Sequence, residues 1–122
     1  MAVMAIRWTG VTIDCADPAR LAAFWGAVLG REATDEMEGE GWATIGSRYD
    51  AHPRLTFQRV PEPRLGKVRL HLDLEVDDLE AAMVEIERLG GSRTGERHEY
   101  DEGVVALMAD PEGHEFCVTH LF

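Results

Sequence analysis

The segment from Arg69 to Asp78, RLHLDLEVDD, alternates strictly between polar and apolar residues. Successive side chains of an extended strand point to opposite faces, so this pattern predicts a strand with one apolar and one polar face. The apolar face should pack against a core, while the polar face either meets water or lines a site. The apolar positions are Leu70, Leu72, Leu74 and Val76, and the polar positions are Arg69, His71, Asp73 and Glu75.

A helix signal follows this strand, and the same strand–helix pattern occurs earlier in the chain. Asp78 can cap a helix whose apolar stripe spans residues 79–89, and Gly90 can end it. In the first half, VTIDCAD predicts a strand, Asp17 is the matching cap, and Pro18 suits the first helical position. The two capping aspartates stand 61 positions apart, which is half of the 122-residue chain. This spacing indicates a two-fold internal repeat.

Three short strand-like stretches follow each helix, with Asp, Pro and Gly in the turns. They lie near 32–37, 41–46 and 54–60 in the first half, and near 93–99, 103–108 and 115–120 in the second. The predicted fold class is therefore α+β: two βαβββ modules related by the internal repeat, with curved sheets around a central cleft. A single domain, 1–122, would contain module 1 (5–60), a linker (61–67) and module 2 (68–122).

The composition argues against several classes of partner. The formal net charge is −11 at pH 7, which disfavours nucleic acid and anionic membrane surfaces and suits cationic ligands. No apolar run approaches the roughly 20 residues of a membrane span, and no signal peptide is predicted. Two cysteines, Cys15 and Cys117, do not make a disulfide framework, so we expect a cytoplasmic protein. The acidic segments DEMEGEG (35–41) and RHEYDEG (97–103) are interpreted as solvated turns.

Three longer segments resemble the vicinal oxygen chelate superfamily, which includes glyoxalase, extradiol dioxygenases, and fosfomycin- and bleomycin-resistance proteins. These segments are VTIDCADPARLAAFWGAVLGRE, RLHLDLEVDDLEAAMVEIERLGG and ALMADPEGHEFCV. The resemblance covers nearly the whole chain and is strongest to short glyoxalase-like domain proteins. It implies a homodimer. It also implies one divalent metal between the modules, with a ligand from the first and the last strand of each.

Four positions of this chain correspond to those family ligands. The first-strand ligand of the family is usually His or Gln and the last-strand ligand is usually Glu. Here the positions carry Gly10 and Thr56 in module 1, and His71 and Cys117 in module 2, so only His71 matches. Glycine supplies no donor and a neutral hydroxyl is a poor ligand, whereas activating substrate oxygens needs about three protein ligands. We therefore expect the usual four-ligand site to be lost or altered.

The resemblance also places the polar positions of the first and last strands along the cleft. With Trp8 and Trp42 as aromatic walls they would line a ligand pocket, since such pockets combine apolar walls with a few polar groups. On an open sheet the same positions would simply be solvated. The predicted ligand-binding residues are Trp8, Thr12, Trp42, Thr56, Gln58, Arg69, His71, Asp73 and Cys117.

His71 and Cys117 each have more than one interpretation. His71 is a metal ligand, a cleft histidine hydrogen-bonded to Asp73 or Arg69, or an acid–base or ligand-binding histidine without metal. Cys117 is a small buried filler, or a reactive thiolate if a positive neighbour such as His71 lies beside it.

Three functions of different classes follow. The first is a glyoxalase/bleomycin-resistance-like protein that binds a small molecule in the cleft, without the usual four-ligand metal site. The second is a metal-dependent lyase, isomerase or dioxygenase with a nonstandard site around His71. The third is a non-catalytic domain that acts through its surface or a partner. The residues leave open whether the chain is an enzyme.

Overall fold

The computed structural model describes residue 5 and residues 7–34, 41–47 and 50–122. The chain divides into two compact units, Met1–Pro61 (unit 1) and Glu62–Phe122 (unit 2). Unit 1 contains β1 (Gly10–Cys15), α1 (Pro18–Leu29), β2 (Ala33–Thr34), β3 (Trp42–Ile45) and β4 (Arg54–Arg59). Unit 2 contains β5 (Asp73–Glu75), α2 (Leu79–Leu89), β6 (Ser92–Tyr100), β7 (Gly103–Ala109) and β8 (Glu115–Leu121).

Helix α1 begins where the sequence predicts. The Asp17 carboxylate accepts a hydrogen bond from the Arg20 backbone N–H at 3.2 Å, which satisfies one of the free donors of the first turn. Gly30 ends the helix in the left-handed conformation, with φ of 64°, which favours glycine. The apolar stripe, including Leu21 and Trp25, is buried against β3 and β4.

Helix α2 repeats this construction. The Asp78 carboxylate accepts from the Ala81 N–H at 3.0 Å, and Gly90 ends the helix with φ of 116°. The helix packs on β6 and β8 and buries Leu79, Met83 and Ile86. Both capping aspartates are therefore confirmed.

Both sheets are mixed. The strand order is β1-β4-β3-β2 in unit 1 and β5-β8-β7-β6 in unit 2. In each unit the first and last strands run parallel, while the other neighbours run antiparallel. The parallel pairs have the same register. Thr12 lies opposite Thr56 in unit 1, and Asp73 lies opposite Cys117 in unit 2, each 61 positions further along the chain. The α+β fold class and the two-fold repeat are confirmed.

The strand predicted from residue 69 to residue 77 is much shorter in the structure. Strand β5 contains only three residues, and backbone hydrogen bonds extend the pairing by one residue at each end, at Leu72 and Val76. Arg69 and His71 therefore precede the strand rather than belong to it. The expectation that Leu70 packs into a core is wrong, because 83% of its surface is exposed.

The remaining strands follow the prediction with different lengths. The stretch predicted at 32–37 contains β2, and its residues 35–37 lie outside the described residues, as does most of DEMEGEG. The stretch predicted at 93–99 is β6, so RHEYDEG is mostly strand and turns only at Asp101 and Glu102. Neither helix reaches the length and apolarity that crossing a membrane requires.

Candidate functional site

The face of the unit 1 sheet that points away from α1 is lined by polar side chains. Strand register places Thr12, Thr56 and Thr44 in one row across β1, β4 and β3. The next row along the strands contains Asp14, Gln58 and Trp42. Four predicted ligand-binding residues are thus brought together on one face: Thr12, Trp42, Thr56 and Gln58.

These residues differ in accessibility. Thr56 is only 2% exposed, so its hydroxyl lies at the bottom of this face. Gln58 is half-buried, while Thr12 and Trp42 are exposed. Trp8 precedes β1 and is also exposed, and its indole N–H donates to the Gly10 carbonyl oxygen at 2.9 Å. The Trp8 indole is therefore held against the first residue of β1.

The face of the unit 2 sheet that points away from α2 has an apolar floor between polar flanks. One row across β5, β8 and β7 contains Asp73, Cys117 and Leu107. The neighbouring row contains Glu75, Thr119, Val105 and His98. Leu107 is buried and Val105 is half-buried, so together they form the floor.

Carboxylates surround this floor, and we call the surface the acidic face. Glu115 shares the side of β8 that carries Cys117. Glu96 forms a contact of 3.8 Å with His98 from β6. The acidic face is defined by Asp73, Glu75, Glu96 and Glu115, together with Cys117.

The environment of Cys117 keeps its thiol protonated. Burial raises the pKa of Cys117, and the Asp73 carboxylate raises it further by its charge and by accepting a hydrogen bond from the thiol. The charges of Glu96 and Glu115 act in the same direction. A catalytic thiolate needs a positive neighbour, so this environment disfavours the reactive interpretation of Cys117.

His71 and Arg69 lie in the exposed segment that leads into β5. Neither residue forms a hydrogen bond or ion pair with the part of the chain that the structure describes. The predicted pairing of His71 with Asp73 or Arg69 is therefore not seen. Of the predicted residues of module 2, only Asp73 and Cys117 lie next to each other.

The four positions that correspond to the family's metal ligands do not fit a four-ligand site. A Cβ added to Gly10 would lie 2.5 Å from the Arg54 carbonyl oxygen, so the backbone itself fills the space that a ligand side chain would need. Thr56 offers a buried neutral hydroxyl, and Cys117 a thiol held in its protonated form. Among the described residues, no group of three or more His, Cys, Asp or Glu side chains is arranged to hold a metal ion.

Several residues of the acidic face and of its floor are absent from the residues predicted to bind a ligand. His98 was assigned to a solvated turn together with the rest of RHEYDEG, and Glu96, Val105 and Leu107 were not considered as part of a site. The signal was present in RHEYDEG, because its first residues continue a strand before the turn begins. A register shift between Arg93 and Arg97 hid the pairing, since a bulge changes which residues lie opposite each other.

Solved structures of other proteins share this fold. A glyoxalase/bleomycin resistance protein/dioxygenase family enzyme from Burkholderia phytofirmans is 16% identical, with a TM-score of 0.71 over 96% of this chain and 100% of that chain. A glyoxalase/bleomycin resistance protein/dioxygenase from Nocardioides is 13% identical, with a TM-score of 0.70 over 99% and 87%. A glyoxalase-related enzyme from Fulvimarina pelagi is 15% identical, with a TM-score of 0.68 over 93% and 87%. At these identities the likeness concerns the fold alone.

A search of curated proteins by sequence gave no match. The family model of the glyoxalase-like domain matches residues 10–119, which is nearly the whole chain and includes both repeats. This protein therefore belongs to the glyoxalase-like domain family, within the vicinal oxygen chelate superfamily.

Proposed function

We propose that this protein binds a small organic cation on the acidic face of unit 2, without the four-ligand metal site of its superfamily. The observation that carries the proposal is the apolar floor of Val105 and Leu107 between carboxylates on both flanks. Binding sites for small molecules combine an apolar surface with a few placed polar groups, and the surface described above has that composition.

The charge of the ligand follows from the charges around the floor. Four carboxylates belong to the acidic face, and His98 is the one basic side chain that the register of the described strands places among them. An anionic ligand would be repelled there, whereas a cation would partly neutralise the carboxylates. The net charge of −11 acts in the same direction, because it attracts cations to the whole molecule.

Metal-dependent chemistry is the less favoured proposal. Only His71 among the four corresponding positions carries a typical family ligand, and it is exposed ahead of β5. The relatives named above include proteins described as enzymes and as bleomycin resistance proteins. We propose binding without chemical conversion of the ligand, because the acidic face supplies charge and an apolar floor while its Cys117 environment favours the protonated thiol.

The test is thermal unfolding with two probes, benzyltrimethylammonium and the neutral benzyl alcohol. We expect the cation to raise the melting temperature of wild type, since a ligand that binds only the folded state stabilises it. Asp73→Asn should remove most of that increase. Asp101→Asn, which deletes the same charge from the exposed turn between β6 and β7, should retain it.

Two results would contradict this proposal. One is equal stabilisation by both probes, because a site without charge selectivity is not the acidic face. The other is stabilisation by Zn²⁺, Ni²⁺, Mn²⁺ or Fe²⁺ that is lost in His71→Ala, which would support the metal-dependent lyase, isomerase or dioxygenase instead. Light scattering on the same samples tests the homodimer that the family resemblance implies.

A further inference from the structure

A groove of about 660 Å³ lies on the other side of the unit 2 sheet, beside the N-terminal end of α2. Strand register places Glu99, Val104 and His120 in one row across β6, β7 and β8, on the side that carries α2. Val104 is buried and forms the floor of the groove. A volume of this size is typical of sites for small ligands.

Aromatic rings stand at the rim of this groove. Phe122 is 81% exposed and Tyr100 is 53% exposed, although both are large and partly apolar. The Phe122 ring meets the His120 ring edge-on, with centroids 5.8 Å apart. Exposed rings attract cations to their faces, because the π-electron density there is negative.

The charged groups of the groove are mainly acidic. Asp77, Asp78, Glu80 and Glu99 line it together with one arginine, Arg97, among the described residues. Glu80 is engaged by Arg93, which lies outside the groove, and Arg97 lies 3.5 Å from Glu99. Asp78 caps α2. Asp77 forms no ion pair with any residue that the structure describes, so its carboxylate is available to a ligand.

His120 adds a hydrogen-bond acceptor to the groove. Its Nδ1 lies 3.2 Å from the Val76 carbonyl oxygen, and a carbonyl can only accept, so Nδ1 carries the proton and donates. In the neutral ring Nε2 then carries a lone pair. No partner for Nε2 lies within the described residues, so this nitrogen can accept a hydrogen bond from an ammonium group.

From the cavity, the exposed rings, the carboxylate of Asp77 and the acceptor of His120 we infer that the groove is a second binding site, for a small primary amine that carries an aromatic ring. The ammonium group lies between Asp77 and His120, where it also meets the face of the Phe122 ring beside His120, and the ring of the ligand lies against Tyr100. This inference does not rest on the proposed function, because the groove and the acidic face lie on opposite sides of one sheet.

The experiment follows methyl NMR signals during titration with 2-phenylethylamine and with neutral 2-phenylethanol. Val104 methyl groups report on the groove, and Leu107 methyl groups report on the acidic face. We expect the amine to shift the Val104 signals in a saturable way and to bind at least threefold more tightly than the alcohol, as for one ion pair and one cation–π contact at an exposed site.

Three variants test the assigned contacts. Asp77→Asn should weaken amine binding at Val104 about threefold to fivefold, while Asp73→Asn, the same change on the opposite face, should leave it unaltered. Phe122→Leu keeps an apolar side chain but removes the ring, so it should weaken the amine more than the alcohol.

Several outcomes would overturn the inference: no saturable shift at Val104, equal affinity for amine and alcohol, or equal losses in Asp77→Asn and Asp73→Asn. Shifts at Leu107 alone would also overturn it, while supporting the acidic face. Shifts at Val104 alone would support the groove and speak against the proposed function, so the two failures are distinguishable.

Discussion

The turn between β7 and β8 contains a buried ion pair whose loss should be measurable and dependent on pH. The side chains of Asp110 and His114 are 1% and 16% exposed, and the Asp110 carboxylate lies 2.9 Å from His114 Nδ1. The same carboxylate accepts hydrogen bonds from the backbone N–H groups of Glu112 at 2.9 Å and His114 at 3.0 Å. We predict that His114→Gln destabilises unit 2, because it removes the charged partner of a buried carboxylate.

The magnitude follows from the one interaction that the substitution removes. A hydrogen bond to a charged group contributes about 1.5–3 kcal/mol. The backbone bonds to Asp110 remain, the glutamine amide can replace part of the lost donor, and the imidazole is partly screened by water. We therefore expect a loss of about 1–2 kcal/mol at pH about 5.5, which is measurable against the total stability of a small domain.

The pH dependence has a defined sign. The hydrogen bond that His114 Nδ1 donates to the Asp110 carboxylate raises the pKa of His114 above the ordinary histidine value of 6.5. A raised pKa in the folded state means that the extra stability is fully present below the unfolded pKa and is lost as the pH rises through the folded pKa. The difference between wild type and His114→Gln should therefore shrink between pH about 5.5 and pH about 8.5.

The assay is urea unfolding at both pH values, followed by far-ultraviolet circular dichroism and by tryptophan fluorescence. All three tryptophans, Trp8, Trp25 and Trp42, belong to unit 1, so fluorescence reports on that unit and circular dichroism on both. His52→Gln removes an exposed histidine from a turn of unit 1 and serves as the matched control. A loss of stability in His114→Gln that is constant or grows with pH would refute the reasoning.

Three further predictions concern other parts of the chain. Gly10→Ala should destabilise unit 1 by about 1–3 kcal/mol in tryptophan-monitored unfolding, because its Cβ would lie 2.5 Å from the Arg54 carbonyl oxygen; unchanged stability would contradict this clash. Asp17→Ala and Asp78→Ala should each lower the free energy of unfolding in urea by about 1 kcal/mol, since each removes the capping carboxylate of its helix; a loss in only one variant would contradict the equivalence of the two caps. Cys117 should react slowly with iodoacetamide at neutral pH and faster as the pH rises, because burial and carboxylates raise its pKa; fast alkylation at neutral pH, detected by mass spectrometry, would contradict that direction.

The parts of the fold that could be predicted are those set by local chemistry. A helix N-terminus needs a side-chain acceptor for its free N–H groups, and Asp17 and Asp78 supply it in both repeats. Because the two halves of the chain repeat, an element predicted in one half is also expected at the equivalent position of the other half. Trp25 lies four residues after Leu21 on the same side of α1, and both are buried in the structure.

The length of β5 could not be predicted, because alternation does not show whether a neighbouring strand is present. The register of β5 and β8 would place His71 opposite Glu115, where β8 begins. Residues before His71 therefore have no strand beside them, although the alternating pattern continues back to Arg69. Leu70 is exposed for this reason, since an apolar row is buried only where a sheet and its helix extend far enough to cover it.

The extent of strand pairing also explains why the two positions that correspond to the family's first-strand metal ligands differ. In unit 1 the ladder includes Gly10, opposite Arg54, and the absence of a Cβ allows the close approach of the Arg54 carbonyl oxygen. The equivalent position of unit 2 carries His71, which precedes β5 and lies outside its strand pairing. A ligand side chain at position 10 would have to displace the β4 backbone before it could reach a metal. Replacing Gly10 by His is therefore expected to destabilise unit 1 rather than restore a metal ligand. Residue types alone do not show this, because the obstacle is the β4 backbone that pairs with position 10.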